Sequence, residues 1–132
     1  GLETGHDPLR RALAKPGQAA QAETAIHTAK DAGMSVGVMV LLGAGGASFA
    51  DAHAEDTCGL LARLPLDASD RVFLSPLCVH PDTPYAAWAE QHGAQALDDR
   101  EIAEQATRFD ACLGHSDGPR LARYRVEDFV PY

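Results

Sequence analysis

One stretch constrains this chain more than any other: Val36 to Gly46, reading V-G-V-M-V-L-L-G-A-G-G. It is an uninterrupted apolar run that closes in a glycine cluster. A run this short, rich in Val and bounded by glycine, reads as a strand buried on both faces. Such strands belong to parallel sheets with helices packed on them. Ligands in those sheets sit beyond the carboxyl ends of the strands. Gly43, Ala44, Gly45 and Gly46 occupy that end, where the lack of bulky side chains lets a ligand approach the backbone. The stretch therefore predicts a core strand and a binding loop together.

The flanking sequence predicts a β/α rhythm. Asp7 and Pro8 mark a helix start, with Asp as N-cap and Pro at the first helical position, and the helix runs to about Ala14. Lys15-Pro16-Gly17 stops it. A second helix, from about Gln18 to Ala32, places Ala22, Ala25, Ile26 and Ala29 on one face, and Gly33 ends it. The strand Ser35–Leu42 follows at once. Ser48 is expected to cap a helix reaching about Leu64. Val72 to Leu77 reads as a second strand, with Pro76 marking its exit because it lacks an amide donor. Helices are expected at about Tyr85–Gln91 and Asp98–Cys112, and Arg123 to Val126 as a short strand or irregular tail. Gly1 to Gly5 reads as the end of a strand and its turn. These elements amount to about half of an eight-stranded β/α barrel, which takes roughly 250 residues. The expected fold class is α/β, a partial (β/α) TIM-type barrel of parallel strands with packed helices, and residues 1–132 are expected to be a piece of a longer protein. Half a barrel leaves unpaired edges.

Composition narrows the partners. A net charge of −8, from 19 acidic and 11 basic side chains, argues against a surface that tracks nucleic acid or anionic lipid. No apolar run approaches the roughly 20 residues needed to span a bilayer. Three widely spaced cysteines, Cys58, Cys78 and Cys112, argue against a disulfide framework and fit a reducing cytoplasm.

Four stretches, taken in order, carry a family resemblance. The first is Gly1-Leu2-Glu3-Thr4-Gly5 with Leu9 and the Lys15-Pro16-Gly17 turn. The second is Lys30-Asp31-Ala32-Gly33-Met34 followed by Val36 to Gly46. Asp70 to Pro84 is the third, and Arg123-Tyr124-Arg125 to Phe129 the fourth. Together they resemble the carboxyl-terminal half of a radical S-adenosylmethionine protein, of the elongator-type and oxygen-independent coproporphyrinogen oxidase-type group. The likeness covers nearly the whole chain. It departs from the family in lacking the CxxxCxxC motif that binds the four-iron four-sulfur cluster, and in Pro131 interrupting the tail. The resemblance implies that such a cluster belongs to an intact parent protein. There it passes an electron to the sulfonium and generates a deoxyadenosyl radical, while this segment supplies the S-adenosylmethionine cradle and part of the wall for an unidentified substrate. The implied partner is the amino-terminal half of the barrel, or another chain that completes the sheet.

By position in that resemblance, Glu3 faces the ribose or the methionine end, since a carboxylate accepts several hydrogen bonds. Lys30 meets the cofactor carboxylate by charge pairing, and Gln18 is a weaker polar candidate. Gly43 lets the backbone close on the cofactor, and Leu77 with Cys78 flanks the adenine. Lys30 also suits an ordinary helix C-terminus, where cations are favoured.

Other readings compete. Gly43 to Ser48 invites a dinucleotide loop, but Ser48 stands at the third glycine place and no clear acidic end closes the next strand. His53 with Glu55-Asp56, and Cys78 with His80, lack the spacing of a structural zinc site. The His53 group is expected on a polar helix face in contact with solvent, and Cys58 as a small core residue. The alternative function is a non-catalytic β/α binding or protein-interaction module that has lost the cluster half.

Overall fold

A computed structural model describes residues 1–114 and 117–124. The expected tail segment beyond Tyr124, including Arg125, Val126 and Phe129, and also His115, lie outside the described residues. In chain order the elements are α1 (Asp7–Ala12), α2 (Ala19–Asp31), β1 (Gly37–Leu42), α3 (Gly46–Leu61), β2 (Arg71–Pro76), α4 (Pro84–Gln91), α5 (Asp99–Leu113) and β3 (Arg120–Arg123).

Local chemistry sets most of these boundaries. Gln21 accepts the backbone N–H of Gln18 at 2.8 Å and starts α2. Gly33 ends it with a left-handed φ of 75°. Asp98 and Glu101 exchange the two hydrogen bonds of a capping box at the start of α5. The largest boundary difference is α3, which begins inside the glycine cluster. Gly45, at φ 81°, occupies the cap position expected of Ser48.

The strands form a parallel three-stranded sheet in the order β1-β2-β3. Gly37 lies opposite Arg71 and Leu42 opposite Pro76; Arg71 lies opposite Arg120 and Leu74 opposite Arg123. On the free edge of β1, Glu3 forms a parallel bridge to Val40. Strand order thus follows chain order, with no reversal. The α/β class, the parallel strands and the packed helices are as expected.

Val38, Val40, Leu42, Val72 and Leu74 are buried together with Ala54 and Leu60 of α3 and Phe109 of α5. Ala22 and Ile26 of α2 pack against the same cluster. Each large apolar side chain removed from water there contributes roughly 1.5–3 kcal/mol. The expectation that β1 is buried on both faces is corrected. Met39 and Leu41 on β1 and Phe73 on β2, which alternate with the core residues, are only half-buried. The reason is that α2, α3 and α5 all contribute to the cluster on a single face of the sheet.

Candidate functional site

The most unusual local geometry lies at Glu3. Its N–H donates to the Met39 carbonyl at 2.7 Å, and its carbonyl accepts the Leu41 N–H at 2.9 Å. Thr4 N–H turns back to the Leu2 carbonyl at 2.8 Å, and Glu3 sits at the centre of this three-residue turn with φ 59°. A γ-turn of that sign is rare and strained for a residue with a Cβ. The carboxylate is nine-tenths buried. Lys15 Nζ lies 2.8 Å and the Gly1 amino group 4.0 Å from Oε1, whereas Oε2 is buried with no hydrogen-bond partner among the described residues. An unfilled buried carboxylate oxygen costs free energy, and a ligand hydrogen placed there would recover it.

Lys15 is held in place by its own loop. Ala14, just before it, is the other described non-glycine residue with a left-handed φ, at 54°. Arg10 is buried and donates to the Leu2 carbonyl at 2.6 Å, the Pro16 carbonyl at 3.2 Å and the Gly17 carbonyl at 3.4 Å. One guanidinium therefore draws the 14–17 turn against the Glu3 segment, using its fixed fork of donors.

Behind Glu3, His53 is fully buried, which corrects the expected solvent-facing placement. Its Nε2 donates to the Leu41 carbonyl at 2.7 Å, and its Nδ1 accepts the Thr4 hydroxyl at 2.8 Å. Thr57 Oγ1 accepts the Gly5 N–H at 2.9 Å. His53 thus grips Thr4, the next residue in the chain, and Leu41, which bonds the Glu3 carbonyl. Burial pushes its pKa down from 6.5 to about 4, only partly opposed by the Leu41 carbonyl. The neutral ring is the form that makes these contacts. The cue in the sequence was the spacing: Thr57, Leu60, Leu61 and Leu64 follow His53 by four, seven, eight and eleven residues along one helix face, a period that outweighs the polar type of His53 and Thr57.

The glycine loop is less open than its composition suggests. Gly43 N–H donates to Gln105 Oε1 at 2.8 Å and Gly45 N–H to the Tyr85 hydroxyl at 2.7 Å. Gly46 N–H donates to the Gly43 carbonyl, and Ala47 N–H to the Gln95 carbonyl. A Cβ on Gly46 would lie 2.1 Å from the Gln95 oxygen. The glycines therefore admit the chain's own 94–95 segment, and four of the N–H groups that would cradle a phosphate are already engaged. Gly43 and Leu77 line a cavity of about 250 Å³ at the carboxyl ends of β1 and β2, with Leu42, Val79, Tyr85 and Ile102.

The structure brings Glu3, Gly43 and Leu77 to the carboxyl edge of the sheet, with Cys78 exposed just beyond β2. Gln18 caps α2. Lys30 lies at the opposite, amino edge, 2.7 Å from Asp70 and 2.8 Å from Asp67. Asp70 is fully buried and also accepts the N–H groups of Val36 and Asp67. Burial alone would raise the Asp70 carboxyl; the Lys30 ammonium and these N–H groups outweigh it and hold the pKa below its usual value.

Among the described residues, no group of three or more His, Cys, Asp or Glu side chains is arranged to hold a metal ion. Cys58 of α3 and Cys112 of α5 share the seam between those helices, but Cys78 lies beyond β2, so the three thiols do not converge on one site. A four-iron cluster therefore does not fit this segment by itself. No described helix is long and apolar enough to cross a membrane. No protein-family model, no curated protein and no solved structure matches this chain.

Proposed function

We propose that this chain is a β/α segment of a radical S-adenosylmethionine enzyme, and that Glu3 and Lys15 hold the cofactor at the carboxyl edge of its sheet. The observation that carries the reading is the buried, unfilled Oε2 of Glu3, held in a strained turn beside an ammonium group. Strain of this kind is commonly kept where a ligand is clamped. The pair offers both halves of a zwitterion site. Glu3 Oε2 takes a hydrogen from an ammonium or hydroxyl group. Lys15, part-exposed and with three donors, takes a carboxylate. Lys15 thus fills the cationic role expected of Lys30. Leu77 and Gly43, which line the cavity at the carboxyl ends of β1 and β2, are assigned to the adenine. When bound to a cluster-bearing amino-terminal half, S-adenosylmethionine supplies the sulfonium whose reductive cleavage starts the chemistry.

Two features support a singly wound barrel segment over a dinucleotide fold. Strand order follows chain order, whereas dinucleotide sheets bind at a point where the order reverses. Helices α2, α3 and α5 also contribute to one core cluster, and the half-buried face of Met39, Leu41 and Phe73 suits a barrel interior.

The test is calorimetric titration of S-adenosylmethionine into the wild-type chain, Glu3→Gln and Lys15→Met. Binding is expected in the wild type, weakened on the order of tenfold or more in each variant, as for a lost charged hydrogen bond. Wild-type affinity in Glu3→Gln overturns the site. Absence of binding by the wild type overturns the reading that these elements hold the cofactor without the rest of the barrel.

A further inference from the structure

Helices α3 and α5 meet along a seam that ends in two thiols. In the upper part, Ala47, Ala50 and Ala54 of α3 and Glu101, Gln105 and Arg108 of α5 line a cavity of about 260 Å³. One turn further along each helix, Cys58 follows Ala54 and Cys112 follows Arg108. Residues four apart share a helix face, so both cysteines continue the seam. Their contacts agree with that spacing. Cys58 Sγ lies 3.9 Å from the Arg108 carbonyl oxygen, and Cys112 Sγ lies 3.1 Å from the carbonyl oxygen of Phe109, the next residue. The Cys58 thiol also raises the Cys112 pKa, after burial, so each sulfur lies within the other's electrostatic reach. Both are half-buried and free, and a cavity of about 60 Å³ lined by Leu61, Leu66 and Pro119 opens beside Cys112.

We propose that Cys58 and Cys112 form a peroxide-oxidisable dithiol, which closes to an intramolecular disulfide across the α3–α5 seam. The proposal is independent of S-adenosylmethionine binding. Burial, and then the Cys58 thiol, push the Cys112 pKa up to about 12, so Cys112 keeps its proton and serves as the resolving thiol. The Cys58 thiolate attacks hydrogen peroxide. An S–O bond forms, the O–O bond breaks, and hydroxide leaves and takes up a proton to become water. Cys112 sulfur then attacks Cys58 sulfur. The S–S bond forms, the S–O bond breaks, and the hydroxyl leaves with the Cys112 proton as a second water. Both thiols are oxidised and the peroxide is reduced. The crosslink would fix α3 to α5 beneath the glycine loop, which α5 already holds through Gln105 and Gly43.

The test treats the 132-residue chain, and Cys78→Ser, with stoichiometric hydrogen peroxide. Intact mass, peptide mapping and sizing follow. The expected result is a monomer that has lost the mass of two hydrogens, carries a Cys58–Cys112 peptide, melts at a higher temperature and reverts with dithiothreitol. Cys58→Ser and Cys112→Ser, nearly isosteric, should each lose that product. A majority of Cys78-linked dimers, stable oxygen adducts without a crosslink, or unreacted thiols would each overturn the proposal.

Discussion

The two edges of this sheet carry lysine–carboxylate pairs of nearly the same length in opposite states. At the amino edge, Lys30 meets Asp70 at 2.7 Å, and the Asp70 oxygens also accept the N–H groups of Val36 and Asp67. None of these residues has a left-handed backbone. At the carboxyl edge, Lys15 meets Glu3 at 2.8 Å, one carboxylate oxygen has no partner among the described residues, and the backbone is strained. Burial of a carboxylate beside a lysine therefore does not separate scaffold from site. The separation lies in whether the acceptors are filled and whether the chain pays conformational energy to hold them. Asp70 is a completed joint that ties the entry of β1 to the entry of β2. Glu3 is an incomplete one.

That contrast is open to attack at its stronger end first. Asp70→Ala strips the acceptor from Val36 N–H, Asp67 N–H and Lys30 together. It should cost about 3–5 kcal/mol, the range for breaking a buried pair, measured by urea denaturation. A loss below about 1 kcal/mol would mean that the amino-edge cluster behaves as a surface ion pair, and the contrast would dissolve. Next in size is the pH response of His53, which underpins Glu3. Its folded pKa, about 4, is depressed below the 6.5 of the free side chain. The unfolded chain therefore binds more protons between those values. Stability is fully present above pH 6.5 and falls as pH drops toward 4, by on the order of 3 kcal/mol from this residue. His6 and Asp56, paired at 2.6 Å, are the ionisable groups acting on it. Denaturation of wild type and His53→Gln at both ends of this window isolates the effect. An equal fall in the two proteins would remove His53 as its source.

The sequence spoke clearly where a local rule decides the outcome. The apolar run of β1, the proline exit of β2, Gly33 after α2 and the Asp98 cap all follow from chain-local propensity. Gly1 to Gly5 also read as the end of a strand and its turn, and Glu3 bridges to Val40 just before the chain turns at Thr4. What was hidden depends on contacts remote in sequence. His53 lies 49 positions from Thr4; its spacing from Leu60, Leu61 and Leu64 puts it on their helix face, but its polar type hides the burial and its partners are remote. Lys30 stands in the last turn of α2 and Lys15 just after α1, and only tertiary contacts decide which stands beside Glu3. The glycine cluster misled for a related reason. Glycine reports that something comes close to the backbone, and here Gln95 and Gln105 of the same chain do so.

The finest test separates what Glu3 does for the fold from what it does for a ligand. Glu3→Gly and Glu3→Ala both remove the carboxylate, and Lys15, already part-exposed, returns to water in either case. The two differ only in the cost of a left-handed φ, which Gly adopts freely and Ala does not. The Gly variant should therefore exceed the Ala variant in stability by about 1 kcal/mol, and match or slightly exceed wild type. Both should lose S-adenosylmethionine binding to the same extent. Stability retained while binding disappears is the signature of a residue kept for function at the expense of the fold. If Glu3→Gly instead destabilised the chain as much as Asp70→Ala, Glu3 would be a second structural joint, and the cofactor would have to be sought along the cavity beside Leu77.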